Sequence, residues 1–396
     1  MKNKKKYKKP NWFIYKIFYI ASKIVSKIKL NLKVLRNETK NKKGSFVVIG
    51  NHAAALDFIP ACVALKRRVN FVVSNAFYQT LPVRPLLEKV RVIPKNQFQT
   101  SISDMRKMRE VIDNDMPLVI YPAGLMTENG VGTPIPPSTG KALKWFAKDV
   151  YVAKVKGTYL TTPKWSKLWR KGETTIDVYK LFDAEELKDL TDEQIQKRIE
   201  EELYFDEYQE QKENPIAFKN GDNIQGLENV LYVCPHCGEQ FSFSATCYNE
   251  LTCNKCGYSV KANKYGLFEQ NGDKPLIYDS VSEWSKAIEK ESEKEMSKED
   301  FYLTSLAQLQ VLNVKKHKFE TKGECSITLN KTQIVLTSEE INKTFITKLY
   351  PTLPFKPGKC FDLQDGNDIY RIVLQDGKQV IKWINAVKYF YKEQNK

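Results

Sequence analysis

A histidine and an aspartate at a short spacing are the first residues in this sequence that could do chemistry. His52 stands just beyond an apolar run that ends at Ile49, and Asp57 follows five residues later. One ring nitrogen of His52 could bind the Asp57 carboxylate while the other faces a substrate hydroxyl. His52 would then be a general base whose tautomer Asp57 fixes. The same position also suits a histidine that only caps the following helix.

The elements around this pair alternate between short apolar runs and helical stretches. We predict strands at 45–49, 70–73, 90–93, 117–121 and 150–155, and helices at 60–65, 103–112 and 138–146. This alternation predicts an α/β fold, a sheet covered by helices, whose ligand sites lie at the strand ends. No serine or cysteine nucleophile is evident near His52, so direct attack by a substrate hydroxyl is the natural chemistry.

Four sequence blocks in this region resemble the glycerol-phosphate and lysophospholipid acyltransferase family. Within that family the likeness is to the 1-acylglycerol-3-phosphate O-acyltransferases. The resemblance lies between residues 40 and 180, with the blocks in the family's order. They are Asn51-His52-x4-Asp57, the run at 91–95, the run at 121–127 and the apolar run at 152–155.

The resemblance implies transfer of a fatty acyl group to a hydroxyl of a lysophospholipid or related glycerolipid. The donor would be an acyl thioester, either acyl-coenzyme A or acyl-carrier-protein. His52 would take the hydroxyl proton, and Asp57 would orient His52. Arg91 or Lys95 would bind the acceptor phosphate through charge-assisted hydrogen bonds. The substrate-binding positions implied are Asn51, Arg91, Lys95, Tyr121 and Gly124.

The third block departs from the family pattern. Ala123 stands where the family usually has glutamate, and Leu125-Met126 stands where Thr-Arg is common. Loss of that carboxylate and guanidinium changes how the acceptor head group is held. We therefore expect an active enzyme with a shifted acceptor, and the sequence leaves open whether the nearby Glu128 substitutes.

Four of the eight cysteines form a metal-binding pattern, Cys-x2-Cys-x15-Cys-x2-Cys. Tetrahedral zinc needs four thiolates that converge from two turns, and a glycine directly follows each pair. We predict structural Zn²⁺ bound by Cys234, Cys237, Cys253 and Cys256. Paired metal thiolates and scattered remaining cysteines indicate a reducing, cytoplasmic compartment.

The net charge of +16 is concentrated at the amino terminus. The first 43 residues hold fifteen Lys and Arg against one acid, whereas the other 353 residues carry only +2. The ribbon segment 229–262 has few bases, so it lacks the electrostatic footprint of a nucleic-acid site. A nucleic-acid-binding zinc ribbon is therefore the weakest of the functions considered.

The basic arm contains a predicted amphipathic helix over 13–28 that lysines interrupt before it could span a bilayer. Such a helix suits the surface of an anionic membrane. Packing of the helix on the catalytic domain is the alternative, and the two can coexist. The predicted apolar face comprises Phe13, Ile14, Ile17, Ile20, Ala21, Ile24, Val25 and Ile28.

The remaining sequence predicts further domains. The expected organisation is a membrane-surface arm at 1–43, a catalytic domain at 44–182, an acidic helical segment at 183–228, a zinc ribbon at 229–270, a helical linker at 271–300 and a β-rich domain at 301–396. The last resembles a pleckstrin-homology-like barrel closed by a terminal helix. The favoured function is a peripheral acyltransferase on the cytoplasmic face of a membrane. The alternative is a lipid-binding protein without turnover on the same fold.

Overall fold

The computed structural model describes residues 8–80, 84–97 and 101–396. The chain divides into two compact units. The first comprises Met1–Thr162 and Arg170–Glu207, and the second comprises Pro163–Trp169 and Tyr208–Lys396. Four lysines of the predicted basic arm lie outside the described residues: Lys2, Lys4, Lys5 and Lys6.

The first unit is a mixed α/β domain, as the alternating pattern predicts. Its helices are α1 (Trp12–Val25), which continues as a π-helix (Ser26–Leu30), α2 (Phe58–Leu65), α3 (Asn75–Thr80), α4 (Arg84–Lys89), α5 (Ile102–Asp113), α6 (Ser138–Phe146), α7 (Thr158–Thr161), α8 (Glu186–Asp189) and α9 (Asp192–Leu203). Its strands are β1 (Leu32–Asn37), β2 (Val47–Gly50), β3 (Asn70–Ser74), β4 (Ile93–Lys95), β5 (Leu118–Ile120), β6 (Val150–Lys156) and β7 (Thr174–Phe182).

These strands form one sheet in the order β1-β7-β6-β2-β5-β3-β4. The five strands from β6 to β4 are mutually parallel, and β7 pairs with β6 in the antiparallel sense. The carboxyl ends of β2, β3, β4, β5 and β6 therefore meet at one edge. In an open α/β sheet this is the edge at which ligands bind.

Two apolar cores cover the two faces of the sheet. Val47 and Ile49 face a core shared with α5, α6 and α9. Phe46 and Val48 face the other core, shared with α1 and α2. Because successive strand residues point to opposite faces, the continuous apolar run of β2 is what a strand buried on both sides requires.

Part of the basic arm is integral to this first unit. Strand β1 pairs in parallel with β7 at the end of the sheet. Leu30 is buried, and the Thr174 hydroxyl donates to its carbonyl at 2.8 Å. Tyr15 of α1 is also buried, and its hydroxyl accepts a hydrogen bond from Val69 N at 3.2 Å. The chain before residue 44 thus contributes both a strand and core side chains.

The second unit carries the ribbon and the β-rich region. Its helices are α10 (Glu207–Glu213), whose first residue belongs to the first unit, α11 (Val281–Met296) and α12 (Val380–Gln394), with short 3-10 turns at Leu227–Asn229, Thr347–Leu349 and Gly377–Gln379. Its strands are β8 (Phe243–Cys247), β9 (Glu250–Cys253), β10 (Ser259–Ala262), β11 (Phe268–Asn271), β12 (Leu303–Asn313), β13 (Lys318–Leu329), β14 (Gln333–Ser338), β15 (Asn342–Ile346), β16 (Phe355–Lys356), β17 (Cys360–Asp365) and β18 (Asp368–Leu374).

The β-rich carboxy-terminal region is confirmed. Seven antiparallel strands lie in the order β15-β14-β13-β12-β18-β17-β16. Helix α12 buries Trp383, Ile384, Val387 and Phe390 in the core of this sheet. A terminal helix that closes an antiparallel sheet is the arrangement that the sequence predicts.

Helix α11 joins the ribbon to the rest of the second unit. Ser280 caps its first turn by accepting a hydrogen bond from Glu283 N. Trp284 is surrounded by rings of the ribbon, among them Phe243 with its centroid at 5.2 Å and Phe268 at 5.9 Å. Its indole nitrogen donates to the Val233 carbonyl at 3.1 Å.

Within the described residues, no helix has the length and apolarity to cross a membrane.

Candidate active site

The predicted histidine and aspartate lie in contact at the carboxyl end of β2. The distance from His52 Nδ1 to Asp57 Oδ2 is 3.0 Å. The Asp57 side chain is fully buried, whereas 22% of the His52 side chain is exposed. The N-cap residue of α2 is Asp57 and not His52. The imidazole is therefore held at one nitrogen by a buried carboxylate and stays accessible from outside.

The Asp57 carboxylate is fixed by donors on both oxygens. Oδ2 also accepts hydrogen bonds from Ala53 N at 2.7 Å and Ala54 N at 2.9 Å. Oδ1 accepts one from the Thr158 hydroxyl at 2.7 Å. A buried carboxylate is tolerated only when such donors replace water. The arrangement holds one rotamer of Asp57 and directs its charge towards His52.

Asn51, predicted to bind substrate, is occupied by the backbone of β6. Its side-chain nitrogen donates to the Val155 carbonyl at 2.7 Å, and its side-chain oxygen accepts from Val155 N at 2.8 Å. The side chain is 2% exposed. In this structure Asn51 extends the pairing of β2 with β6 and so fixes the backbone directly before His52.

Tyr121, from the third block, forms a wall beside the histidine. Its ring centroid lies 5.0 Å from that of His52, and its hydroxyl donates to the Asp57 carbonyl at 2.8 Å. Burial raises the pKa of Tyr121 well above its usual value, so it is a neutral donor. A Cβ on Gly50 would lie 2.8 Å from the Tyr121 ring, so only glycine permits this close approach.

The two candidate phosphate ligands lie at opposite ends of β4. Lys95 is the last residue of that strand and so lies at the same sheet edge as His52, whereas Arg91 precedes the strand. Arg91 is exposed in a turn with φ 57°. Burial lowers the pKa of Lys95, and the Asp104 carboxylate opposes that change. The topology therefore brings Lys95, and not Arg91, to the edge where a substrate would meet His52.

The altered third block is mostly buried. Ala123 and Leu125 are each 8% exposed, and Glu128 is 6% exposed. Gly124 adopts φ 69°, and its carbonyl accepts a hydrogen bond from the Gln97 side chain at 2.5 Å. The loop thus offers apolar side chains at the positions where the family usually has a carboxylate and a guanidinium.

The four cysteines of the ribbon converge as the spacing predicts. All four sulfurs lie within 4.8 Å of one another, with Cys234 to Cys256 at 3.7 Å and Cys237 to Cys253 at 3.9 Å. A tetrahedron with metal–sulfur bonds of about 2.3 Å has edges of about 3.8 Å, so the sulfur set fits zinc.

The surroundings of the sulfurs also suit a metal thiolate. Gly238 and Gly257 adopt φ 72° and 73°, and a Cβ would meet nothing within 4 Å at either position. Their role is therefore conformational, to allow the left-handed turn after each cysteine pair. Burial opposes the Cys253 thiolate, but the Ser242 hydroxyl and backbone N–H groups outweigh it and lower the Cys253 pKa to about 6, whereas burial raises the pKa of Cys234.

Thr158 is the site residue that sequence reasoning missed. It lies 101 positions from Asp57 in the chain. The one available signal is its place three residues after the fourth block, since β6 is parallel to β2 and delivers the residues that follow it to the same edge. Its contact with Asp57 depends on this strand pairing and not on any local spacing.

Residues 31–153, about a third of the chain, match the family model described as Acyltransferase. No curated protein matches the sequence.

Two solved structures are similar to parts of the chain. One is the 1-acyl-sn-glycerophosphate (LPA) acyltransferase PlsC from Thermotoga maritima, with 16% identity and a TM-score of 0.41 over 48% of this chain and 77% of that chain. The other is the Ran-binding domain of the nuclear complex component Nup2 from Ashbya gossypii, with 13% identity and a TM-score of 0.18 over 22% of this chain and 94% of that chain.

Proposed function

We propose that this acyltransferase-family protein transfers a fatty acyl group from an acyl thioester to a hydroxyl of a lysophospholipid or related glycerolipid. The contact between His52 Nδ1 and Asp57 Oδ2 is the observation that carries the proposal. It lies at the carboxyl edge of the sheet, within the segment that matches the family. A partly exposed imidazole beside a buried carboxylate is suited to general-base catalysis.

The proposed reaction needs no covalent enzyme intermediate. His52 Nε2 takes the proton of the acceptor hydroxyl as its oxygen attacks the thioester carbonyl, and a tetrahedral intermediate forms. The carbon–sulfur bond then breaks, and the thiolate leaves and receives the proton from the imidazolium. Asp57 holds the Nδ1 hydrogen and stabilises the positive charge that develops on the ring.

The acceptor is proposed to meet Lys95 at the same edge of the sheet. An ammonium at the end of β4 can bind an acceptor phosphate as a charge-assisted donor. The apolar third block contributes no second ion pair through Ala123, Leu125 or Met126. We therefore propose an acceptor whose head group makes fewer charged contacts than lysophosphatidate makes in the family.

A panel of acceptors tests the proposed function. The purified protein is incubated with oleoyl-coenzyme A, or with oleoyl-acyl-carrier-protein, and with lysophosphatidate, neutral lysophospholipids or monoacylglycerol. We expect a diacyl product, detected by mass spectrometry, for at least one acceptor. Binding of lysolipid by calorimetry with no product from any pair would overturn the enzymatic proposal in favour of lipid binding alone.

We propose further that the four ribbon cysteines bind structural Zn²⁺. The convergence of the four sulfurs supports this. When bound, the metal would supply cross-links that a sheet of four short strands cannot replace with a core of its own.

Helix α1 supports the proposal that the protein docks on an anionic membrane at the cytoplasmic face. One side of the helix packs on the domain through Tyr15, and Phe18 stacks on Phe58 with ring centroids 6.0 Å apart. The opposite side leaves an apolar stripe about half exposed, flanked by lysines. The stripe comprises Phe13, Ile17, Ile20 and Ile24, and Lys16 and Lys23 flank it.

Negative charge introduced into this apolar stripe should release the protein from membranes. We expect Ile17→Glu with Ile24→Glu to weaken binding to phosphatidylglycerol-containing vesicles about 100-fold, because two interfacial side chains are lost and two anions face the lipid. Co-sedimentation measures the change, and wild-type binding should weaken with salt. Leu306→Glu, at a similarly exposed position of the second unit, is the matched control. Undiminished binding by the double variant would contradict docking through α1.

A further inference from the structure

Thr158 is held in place by the backbone that precedes it. Gly157 adopts φ 82°, and an added Cβ would lie 2.8 Å from the Glu173 carbonyl, so this turn requires glycine. The Gly157 N–H donates to the buried Glu207 carboxylate, with oxygens at 2.9 and 3.1 Å. The turn after β6 is thus anchored independently of Asp57, and Thr158 is the first residue of α7.

The contact that follows is specific to one oxygen. Thr158 is 1% exposed, and its hydroxyl donates to Asp57 Oδ1 at 2.7 Å. Among the described residues, the Thr158 hydroxyl is the hydrogen-bond donor to Oδ1. Oδ2 contacts His52 Nδ1 and accepts hydrogen bonds from two backbone N–H groups. Loss of the hydroxyl would leave one oxygen of a buried carboxylate without a donor. The side chain could then rotate away from the imidazole.

We propose that Thr158 is a positioning residue for acyl transfer, whose hydroxyl holds Oδ1 of Asp57 so that Oδ2 remains aimed at Nδ1 of His52. The inference rests on the proposed function, because it assigns Thr158 a role in the same reaction. It acts through Asp57 and does not touch the substrate. Its contribution therefore falls on the rate of transfer and not on acceptor binding.

Three substitutions separate this role from support of the turn. Thr158→Val keeps the shape of the side chain and removes the donor, whereas Thr158→Ser keeps the donor. Thr161→Val is the matched control. Thr161 is fully buried in the same helix, and its hydroxyl donates to the Gly157 carbonyl at 2.9 Å, so its loss loosens the turn without touching Asp57.

The measurement is steady-state transfer on the acceptor that the panel identifies. A hydrogen bond to a buried charge corresponds to a decrease in kcat of about 10- to 100-fold for Thr158→Val, with KM within about 2-fold of the wild type. Thr158→Ser should recover kcat to within about 3-fold of the wild type, and Thr161→Val should leave it within about 2-fold.

Each other outcome counts against the proposal. Wild-type kcat in Thr158→Val, an equal loss in Thr158→Ser, or an equal loss in Thr161→Val would overturn it while leaving the acyltransferase function intact. A wild-type protein that transfers no acyl group would instead overturn the proposed function, and the role of Thr158 with it. If Thr158→Val does not fold, as judged by circular dichroism, Thr158→Cys takes its place. This weak donor should then give a lower kcat than serine, and equal rates would overturn the proposal.

Discussion

Cys253→Ser is expected to unfold the ribbon of the second unit. The ribbon sheet consists of four strands of four or five residues, and much of its core is the set of rings around Trp284. Binding of structural zinc supplies on the order of 10 kcal/mol of apparent folding free energy in small metal domains. Loss of one thiolate ligand should therefore melt the ribbon and expose Trp284.

Metal content and proteolysis measure this effect. The wild type should contain one zinc per chain by elemental mass spectrometry, and Cys253→Ser should contain less and be cleaved rapidly between residues 229 and 270. Cys247→Ser is the matched control, since Cys247 lies in the same sheet, is exposed and is not one of the four clustered cysteines. A Cys253→Ser protein with wild-type zinc content and protease resistance would show that the cluster does not stabilise the fold.

Asp57→Asn is expected to decrease kcat by about 10³- to 10⁴-fold, as loss of the orienting carboxylate does in serine-protease triads. Asparagine keeps one acceptor oxygen and replaces the other with an NH₂ donor, and this NH₂ group would face either the Thr158 hydroxyl or the donors at Oδ2. The variant also loses the negative charge that stabilises the imidazolium. Both effects act on the transfer step.

A surface carboxylate provides the control for Asp57. Asp177 pairs with Arg36 at 2.8 Å on the exposed side of β7 and has no contact with His52. Asp177→Asn should transfer acyl groups at the wild-type rate. Size-exclusion chromatography before the assay restricts the comparison to folded protein. Equal activity of Asp57→Asn and the wild type would contradict the role of the carboxylate.

The central strands of the first unit could be predicted because each is a continuous apolar run. Strands β2 and β6 begin and end within two residues of their predicted bounds. Strand β4 begins at Ile93, three residues later than predicted, since α4 extends to Lys89 and Arg91 occupies a left-handed turn. Short runs beside a turn do not fix where a strand begins.

The outer strands of this sheet show what the sequence pattern does and does not carry. Strand β1 is exposed over most of its length and includes Lys33 and Arg36, so it has no alternation to detect. Strand β7 does alternate, with Ile176 and Val178 buried, so its sequence carries a strand signal that β1 lacks. Edge strands depend on their neighbours more than on their own composition.

The amphipathic helix was predicted, but not its orientation on the domain. Periodicity groups the isoleucines on one face, and burial in a core would be the ordinary outcome for such a face. The aromatic face with Tyr15 and Phe18 packs inward instead, and Ser22 is buried beside it. Because α1 and β1 are part of the domain, deletion of residues 1–43 would remove core and sheet as well as any membrane contact.

The residues of the candidate site also divide into those that the sequence predicts and those that it does not. His52, Asp57 and the four ribbon cysteines are local patterns, and a spacing of a few residues brings them together without knowledge of the fold. Thr158 and the contact of Asn51 with Val155 join distant parts of the chain through the pairing of β2 with β6. Contacts of this kind follow from strand order, which the sequence alone does not fix.

Transfer of a labelled acyl group by His52→Ala is the most direct test of His52 as the general base of acyl transfer. Wild-type protein, His52→Ala and the control His317→Ala, which lies between β12 and β13 in the second unit, are compared on the same acceptor and thioester. We expect product from the wild type and from His317→Ala, and a decrease of at least about 10³-fold for His52→Ala. Product formation by His52→Ala at the wild-type rate would contradict general-base catalysis by His52.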